Sequence, residues 1–596
     1  MKQLTKFINV FGPQFLLVGL LVVGVGTANA GGLHRPVAVV SDSNGTVLVG
    51  NRDSGRIARI KYDREKGSAS LSFSEQIAHR ISDIALLSDN LLLVADSEAN
   101  ELLAVDVETD GFAVRSRISV DASPVRLAVS TDRQTVAVAC LWARRVLFCQ
   151  IGDSTLRGKG IFKARSAIDL EFSPREMLFV DRAELVVGDS FGSKLVGVQI
   201  GAVPTLLANA TIPAHNIRGL AIEPRSGRLL VTHQLLNGFL PNSRDHVFWG
   251  NVLTNLMRFI ELDQLRANGD SYARIHGAIY PLGEEKEGAG DPGRVVATSS
   301  GHVVSLLTGV NQVGIRPPGR REFWRIDVGV APTAVCEVNK SPDGKTLVAV
   351  ANKYGDSVSL IDLQQARVVQ TVSLSGNVDL SLSERGEVLF HDASVSLDGW
   401  FSCHSCHPDG HSCDRLNDNL GDNAFGSPKR ILSLLGVANT SPWAWNGSQT
   451  SIENQVRKSM DSTMRGTEQR TILESEVEAI SAYLKTLPFP PGVDAARGVE
   501  SSLAAKGRAI FKAQNCSECH APGHYTTDGL RDAGLAGAQD LEFNPPTLRG
   551  VSQRQAWLHD GRAMTLRSVF VDANHQQAGE LPSDDIDALI AFLRTL

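Results

Sequence analysis

The sequence predicts a multidomain chain: an N-terminal all-β propeller of about seven blades, then two small all-α domains that repeat one another. Three observations predict it. Short strands separated by turn residues recur through the first 370 or so positions at a spacing of roughly 40 to 50 residues, several strands to each unit. Two Cys-x-x-Cys-His motifs stand in the last third. The segment EVEAISAYLKTL at 476–487 returns as DIDALIAFLRTL at 585–596. A chain of 596 residues is too long for one ordinary core, so several domains are expected.

The β region runs from about Arg35 to Leu374. Its clearest unit is SPDGKTLVAVANKYGDSVSLIDL at 341–363. Asp343-Gly344 is a hairpin-turn dipeptide, 347–350 reads as a buried strand, and 358–362 as a second. Similar units begin at Ser43, Ser88 and Ser130, with weaker copies at Asp181 and Glu223. These units resemble the YVTN-type propeller repeat. A two-sheet β-sandwich fits a repeating turn-strand-turn-strand pattern less well.

The motifs are Cys403-His404-Ser405-Cys406-His407 and Cys516-Ser517-Glu518-Cys519-His520. In an oxidising compartment this pattern reads as covalent c-type haem attachment. Both thiols add across the haem vinyl groups, and the adjacent His binds iron. A thioredoxin-like pair or half a zinc site needs no His directly after the second Cys, twice. The compartment is read from the first thirty residues. Lys2 and Lys6 precede an apolar stretch at 15–25, and Ala28-Asn29-Ala30 supplies an A-x-A site. This predicts a secretory signal peptide at 1–30 and a periplasmic or otherwise exported protein. An uncleaved segment would make it membrane-associated. A net charge of −6 without a long basic run argues against nucleic acid as a partner.

Of eight cysteines, four go to the haems. Cys140 and Cys149 flank an expected hairpin at 141–145 and either form a disulfide or stay buried thiols. Cys336 and Cys413 are the other two. After Thr232-His233-Gln234 a long insertion interrupts one blade. Insertions in repeat proteins often carry binding, which makes His233 and His246 candidates for a haem or substrate contact, set against an ordinary packing role.

The duplication extends upstream. Leu434-Leu435-Gly436-Val437 parallels Leu548-Arg549-Gly550-Val551, and Trp445-Asn446-Gly447 parallels His559-Asp560-Gly561 in register. Ile586, Leu589, Ile590 and Leu593 recur at helical spacing, as do Val477, Ile480 and Leu484. Pro488-Phe489-Pro490-Pro491-Gly492 forms a stiff linker, and a helix at 502–513 leads into the second motif. The expected domains are a propeller at 31–378 and two all-α cytochrome c-like domains at 379–490 and 491–596.

These features carry a family resemblance over about 383–596. GEVLFHDASVSLDGWFSCHSCH, PWAWNGSQTSIENQ, GRAIFKAQNCSECH and PPTLRGVSQRQAWLHDGRAMTL resemble the bacterial dihaem cytochrome c peroxidases and MauG-like proteins. The resemblance implies two covalent c-type haems, with peroxide reacting at the first and electrons arriving at the second from a small redox protein. It implies that Trp445 assists transfer between haems, that Gln455 is a distal-side group, and that calcium can bind. The family's acidic residue beyond that Gln has no aligned carboxylate here. The stretch reads Ser462-Thr463-Met464-Arg465, with Asp461 close by.

His407 and His520 are the proximal ligands. His575 is the expected sixth ligand of the second haem, with Met564 as the alternative. Met460 and Met464 are the sulfur candidates at the first, set against helix packing. His404 and His411 are expected to face solvent, and His559 to orient its neighbours or a propionate. Three functions follow from different classes. One is a peroxidase-like oxidoreductase whose protein or small-molecule substrate docks near the propeller. Another is a non-enzymatic electron-transfer cytochrome with the propeller as a docking scaffold. The third is a dehydrogenase, for which the propeller shows no cofactor motif.

Overall fold

The computed structural model describes residues 32–152, 160–266, 273–338, 346–422, 424–535 and 542–596. The expected signal peptide and the Asp343-Gly344 turn lie outside them. Seven antiparallel sheets follow one another at 36–73, 81–119, 124–169, 174–211, 215–281, 292–327 and 332–373, each with four consecutive strands. The fourth gains a short parallel strand, Ala273–Arg274. This is a seven-bladed propeller.

The burial pattern explains why these sequences make blades. The second strand of several blades, such as Val47–Asn51, Leu91–Asp96 and Leu347–Asn352, is buried at every residue. Neighbouring blades press on both faces, so these strands read as continuous apolar runs rather than alternating ones. The outer strand Ser68–Phe73 instead alternates exposed and half-buried residues. Many second strands end on a buried Asn or Asp. Asp96 accepts backbone N–H bonds from His79, Arg80, Glu98 and Ala99, which satisfies donors that a buried turn would otherwise strand. Among the described residues no strand is shared between the first and last blades; one apolar cluster drawn from both blades and a side chain close the ring. Asp356 of the seventh blade accepts from the backbone N–H groups of His34 and Arg35, the latter at 2.6 Å.

The register settles the cysteine question in the third blade. Cys140 pairs with Arg145 and Cys149 with Val136. The two thiols therefore do not face each other. They form no disulfide with each other and are buried in one apolar cluster, acting as small core residues.

Each all-α unit is built on a crossing of two helices. Leu382–Phe390 crosses Glu474–Leu484, and Ser502–Ala513 crosses Ser583–Leu593. A glycine sits at each crossing. A Cβ at Gly386 would lie 1.9 Å from Ala479 O, and one at Gly507 would lie 1.9 Å from Ala588 O. Only glycine permits that approach. The duplication also preserves an indole anchor. Trp443 Nε1 donates to Val437 O at 3.0 Å, and Trp557 Nε1 to Val551 O at 3.1 Å.

Both units dock on the propeller. The insertion in the fifth blade reaches the first unit, where Asn242 Nδ2 donates to Thr463 O at 3.1 Å and Asn242 O accepts from Arg465 Nε at 2.9 Å. The second unit binds the loops of the third and fourth blades. Gln553 Nε2 donates to Trp142 O and Gln555 Nε2 to Asp189.

Candidate haem sites

Cys403–Cys406 forms a single helical turn. His407 N donates to Cys403 O at 3.0 Å, so the second thiol and the imidazole are displayed from one rigid turn. Blades five and six hold it from outside. His215 Nε2 donates to Ser405 O at 3.0 Å. Asp291 accepts from Ser405 Oγ at 2.7 Å and from Ser402 Oγ. The turn is thus fastened to the propeller through the residues between and before its cysteines.

That arrangement overturns the expectation for two histidines. His404 is 8% exposed and His411 1%. His404 packs against His391 with ring centroids 4.8 Å apart. His411 meets Ser433 Oγ and Gln553 O and lies edge-on to Trp142 and Phe191. A cytochrome unit alone would leave these residues in water; the propeller covers them. His233 and His246 are also resolved by packing. His233 is fully buried, donating from Nδ1 to Gln234 O and accepting from Arg258 Nε. His246 donates to Pro241 O at 3.0 Å. The insertion instead contacts the first cytochrome unit, through Asn242.

A cavity of 290 Å³ opens beside the first motif. Cys403, Cys406 and His407 line one side, and Phe390, Leu434, Ile480 and Leu484 supply apolar wall. Burial lowers the His407 pKa to about 4, so its imidazole is neutral and able to ligate at physiological pH. Gln455, Ser459 and Met464 also line the cavity. Ile452–Lys458 runs into a π-helical turn, Ser459–Thr463. Such turns widen the helix and recur at functional sites. This one places Met464 in the cavity wall. Met460 is fully buried in the core, and Asp461 is exposed and bonded to Thr467. Gln455 Nε2 donates to Ser459 Oγ at 3.0 Å, while its Oε1 is buried without a partner.

Arg430 and Arg554 also line this cavity. Arg430 is 1% exposed, bonded to Asp414 and Leu558 O, and its Nη2 is buried without a partner. An orphaned guanidinium nitrogen costs free energy unless an acceptor meets it. Neutral imidazole, paired thiols, apolar walls and unspent cationic donors together fit a haem with its carboxylates. Nothing in the sequence patterning singled out these arginines: Arg430 lies outside every quoted segment, and Arg554 lies within one without a signature of its own.

In the second unit, His520 Nδ1 donates to Tyr525 O at 3.2 Å and His575 Nδ1 to Ala533 O at 2.7 Å. Each ring therefore keeps Nε2 free for a metal, the usual arrangement of ligating imidazoles. The His520 pKa is lowered to about 4, first by burial and then by the proximity of His575. Met564, the alternative ligand, is 66% exposed.

Trp445 stands where the units meet. It lines the first cavity, donates from Nε1 to Arg430 O at 2.7 Å, and lies edge-on to Phe543 and His559. His559 stacks on Phe543 at 4.3 Å, and its carbonyl accepts from Arg430 N.

Residues 382–497 match the family model for di-haem cytochrome c peroxidase, and residues 504–596 match that for cytochrome c. Over this C-terminal region the chain is similar to the dihaem cytochrome c peroxidases and MauG proteins. Methylamine utilization protein MauG of Methylorubrum extorquens is 25% identical over 273 residues, covering 35% of this chain and 76% of its own length. Cytochrome c551 peroxidase of Nitrosomonas europaea is 23% identical over 280 residues, covering 38% and 83%. Among solved structures, a chain of Kuenenia stuttgartiensis hydrazine synthase covers 56% of this chain and 98% of its own length, at 19% identity and a TM-score of 0.45. The family implies covalently bound c-type haems and electron transfer with a redox partner. Among the described residues, no helix is long and apolar enough to cross a membrane.

Proposed function

We propose that this chain is an exported, periplasmic dihaem cytochrome of the peroxidase type. With haem bound at both sites, the second would accept electrons from a small redox protein and the first would supply the chemistry of peroxide reduction. The observation that carries this reading is Trp445, which lines the first cavity and contacts Phe543 and His559 of the second unit. The haems supply the one-electron chemistry.

The chain supplies attachment, orientation and polarity. Cys403, Cys406 and His407 would hold one haem; Cys516, Cys519, His520 and His575 would hold the other. Arg430 and Arg554 offer donors to the carboxylates. Gln455 Oε1, buried and unpaired, accepts the O–H of a peroxide and orients it. No Asp or Glu lines this cavity among the described residues, so the proton for O–O cleavage comes from solvent and turnover is slow for the class.

One observation favours a second reading. Met464 is 4% exposed and lines the same cavity as His407. A thioether on the sixth position of the first iron would make both sites electron-transfer centres, with the propeller as a docking scaffold. Stopped-flow mixing of a reduced small c-type cytochrome with the haem-loaded protein separates the two. Oxidation that depends on added peroxide supports the first reading, and its absence supports the second.

A further inference from the structure

A second cavity, of 440 Å³, lies on the propeller axis. The innermost strand of every blade reaches it. The first cytochrome unit contributes Glu387, His391, His404 and Asp409, so the haem motif itself forms part of the wall. Its volume falls within the roughly 300–1,000 Å³ of small-molecule sites.

The polar groups in this cavity are unevenly spent. Each of its carboxylates is partnered from within the protein. Asp409 accepts from Arg175 and Arg218. Glu387 accepts from Arg52, Lys353 and Tyr354. Asp291 holds Ser402 and Ser405, and Glu176 pairs with Arg126 at 3.1 Å. The arginines are not saturated. Arg294 commits only Nη2, to Asp83 at 3.2 Å. Arg175 commits Nε and Nη2, and Arg218 the same two. Among the described residues, Nη1 of all three arginines and Nε of Arg294 have no hydrogen-bond partner. Five cationic side chains and four carboxylates line the cavity, and Asp83 behind the wall pairs with Arg294 at 3.2 Å. Ile81, Val125, Leu435 and Leu487 add apolar wall.

Unspent guanidinium donors beside an apolar side define a ligand. We propose that the axial cavity binds a small organic monoanion. Its carboxylate bonds to Arg175, Arg218 and Arg294, and its apolar body lies against Ile81, Val125, Leu435 and Leu487. Arginine suits this role because its planar fork matches a carboxylate in two bonds. The site stands whether or not the first haem turns over peroxide, because its donors belong to the propeller.

Isothermal titration of the haem-loaded full chain with benzoate, its neutral isostere benzamide, and inorganic phosphate tests the proposal. Benzoate is expected to bind, with benzamide weaker by on the order of tenfold or more, because a charge-assisted fork is lost. Phosphate is expected to bind more weakly than benzoate, having no apolar body. Arg294→Gln should lower benzoate affinity by on the order of tenfold, and Arg294→Lys, which keeps the charge without the fork, by less. Should Arg294→Gln fail to fold, Arg294→Lys and Arg218→Lys carry the same comparison. Equal binding of benzoate and benzamide, no binding of either, or variants with unchanged affinity would overturn the proposal. Phosphate binding as tightly as benzoate would overturn its organic half.

Discussion

Asp291, on the inner edge of the sixth blade, accepts a hydrogen bond at 2.7 Å from Ser405, which lies between the two cysteines of the first haem motif. One buried carboxylate thus joins the propeller to the turn that attaches haem. His215 holds the same residue by its carbonyl, and Asn242 holds the segment on the other side of the cavity at Thr463 and Arg465. The propeller grips the first haem site from two directions.

Removing that carboxylate should loosen the site. Burial raises the Asp291 pKa, but the nearby His404 imidazole and hydrogen bonds from Ser402 and Ser405 outweigh it and hold the group ionised. Asp291→Ala leaves two buried hydroxyls without their acceptor and should cost about 3 kcal/mol. Thermal unfolding of the haem-loaded protein is the check; an unchanged midpoint would mean that the seam contributes nothing.

Glu387 sets an acid limit. Burial pushes its pKa up, yet Lys353, Arg52 and His391 more than reverse this, leaving it well below the ordinary carboxylate value. A group depressed on folding contributes stability that is fully present above its unfolded pKa of about 4.3 and is lost as pH falls below it. Glu387→Gln should therefore destabilise the protein at pH 7 by about 3 kcal/mol. It should also flatten the fall in melting temperature below pH 5. Parallel acid-limb curves would show that Glu387 is not the titrating group.

The two helix crossings should respond independently. Gly386→Ala and Gly507→Ala each drive a methyl into a facing carbonyl, and overpacking of this kind costs about 1–3 kcal/mol or more. Limited proteolysis with haem detection should show the first variant releasing the peptide around Cys403 and the second that around Cys516. Loss of both haem peptides in either variant would mean that the units unfold as one.

Position 464 is where a missing acid can be restored. Met464→Glu places a carboxyl in the cavity wall beside Gln455, and general acid catalysis contributes roughly 10²–10⁴-fold. Peroxide turnover should rise by at least the lower part of that range. No gain, with both haems bound, would count against peroxide chemistry at this site.

Much of the architecture was legible because it is periodic. Blades recur, so turn-strand units predicted the propeller, while the available length suited about seven blades without fixing the number. The cytochrome duplication is written in matched segments such as those holding Trp445 and His559. What was hidden depends on contacts between distant parts. The solvent-facing expectation for His404 and His411 failed because the covering surface comes from other domains. The pairing of Cys140 and Cys149 turned on hairpin register, which spacing does not fix. Arg430, Asp291 and the axial arginines carry no local signature; the cavity they serve is assembled from strands spread over the whole propeller.

The most direct test of the account is the EPR spectrum of the haem-loaded protein, fully oxidised and then half-reduced, before and after peroxide. The account predicts a high-spin ferric signal from the first haem in the half-reduced protein, consumed by peroxide, beside a low-spin signal from the second. Two low-spin signals in both states, unchanged by peroxide, would contradict it and leave a propeller-docked electron carrier.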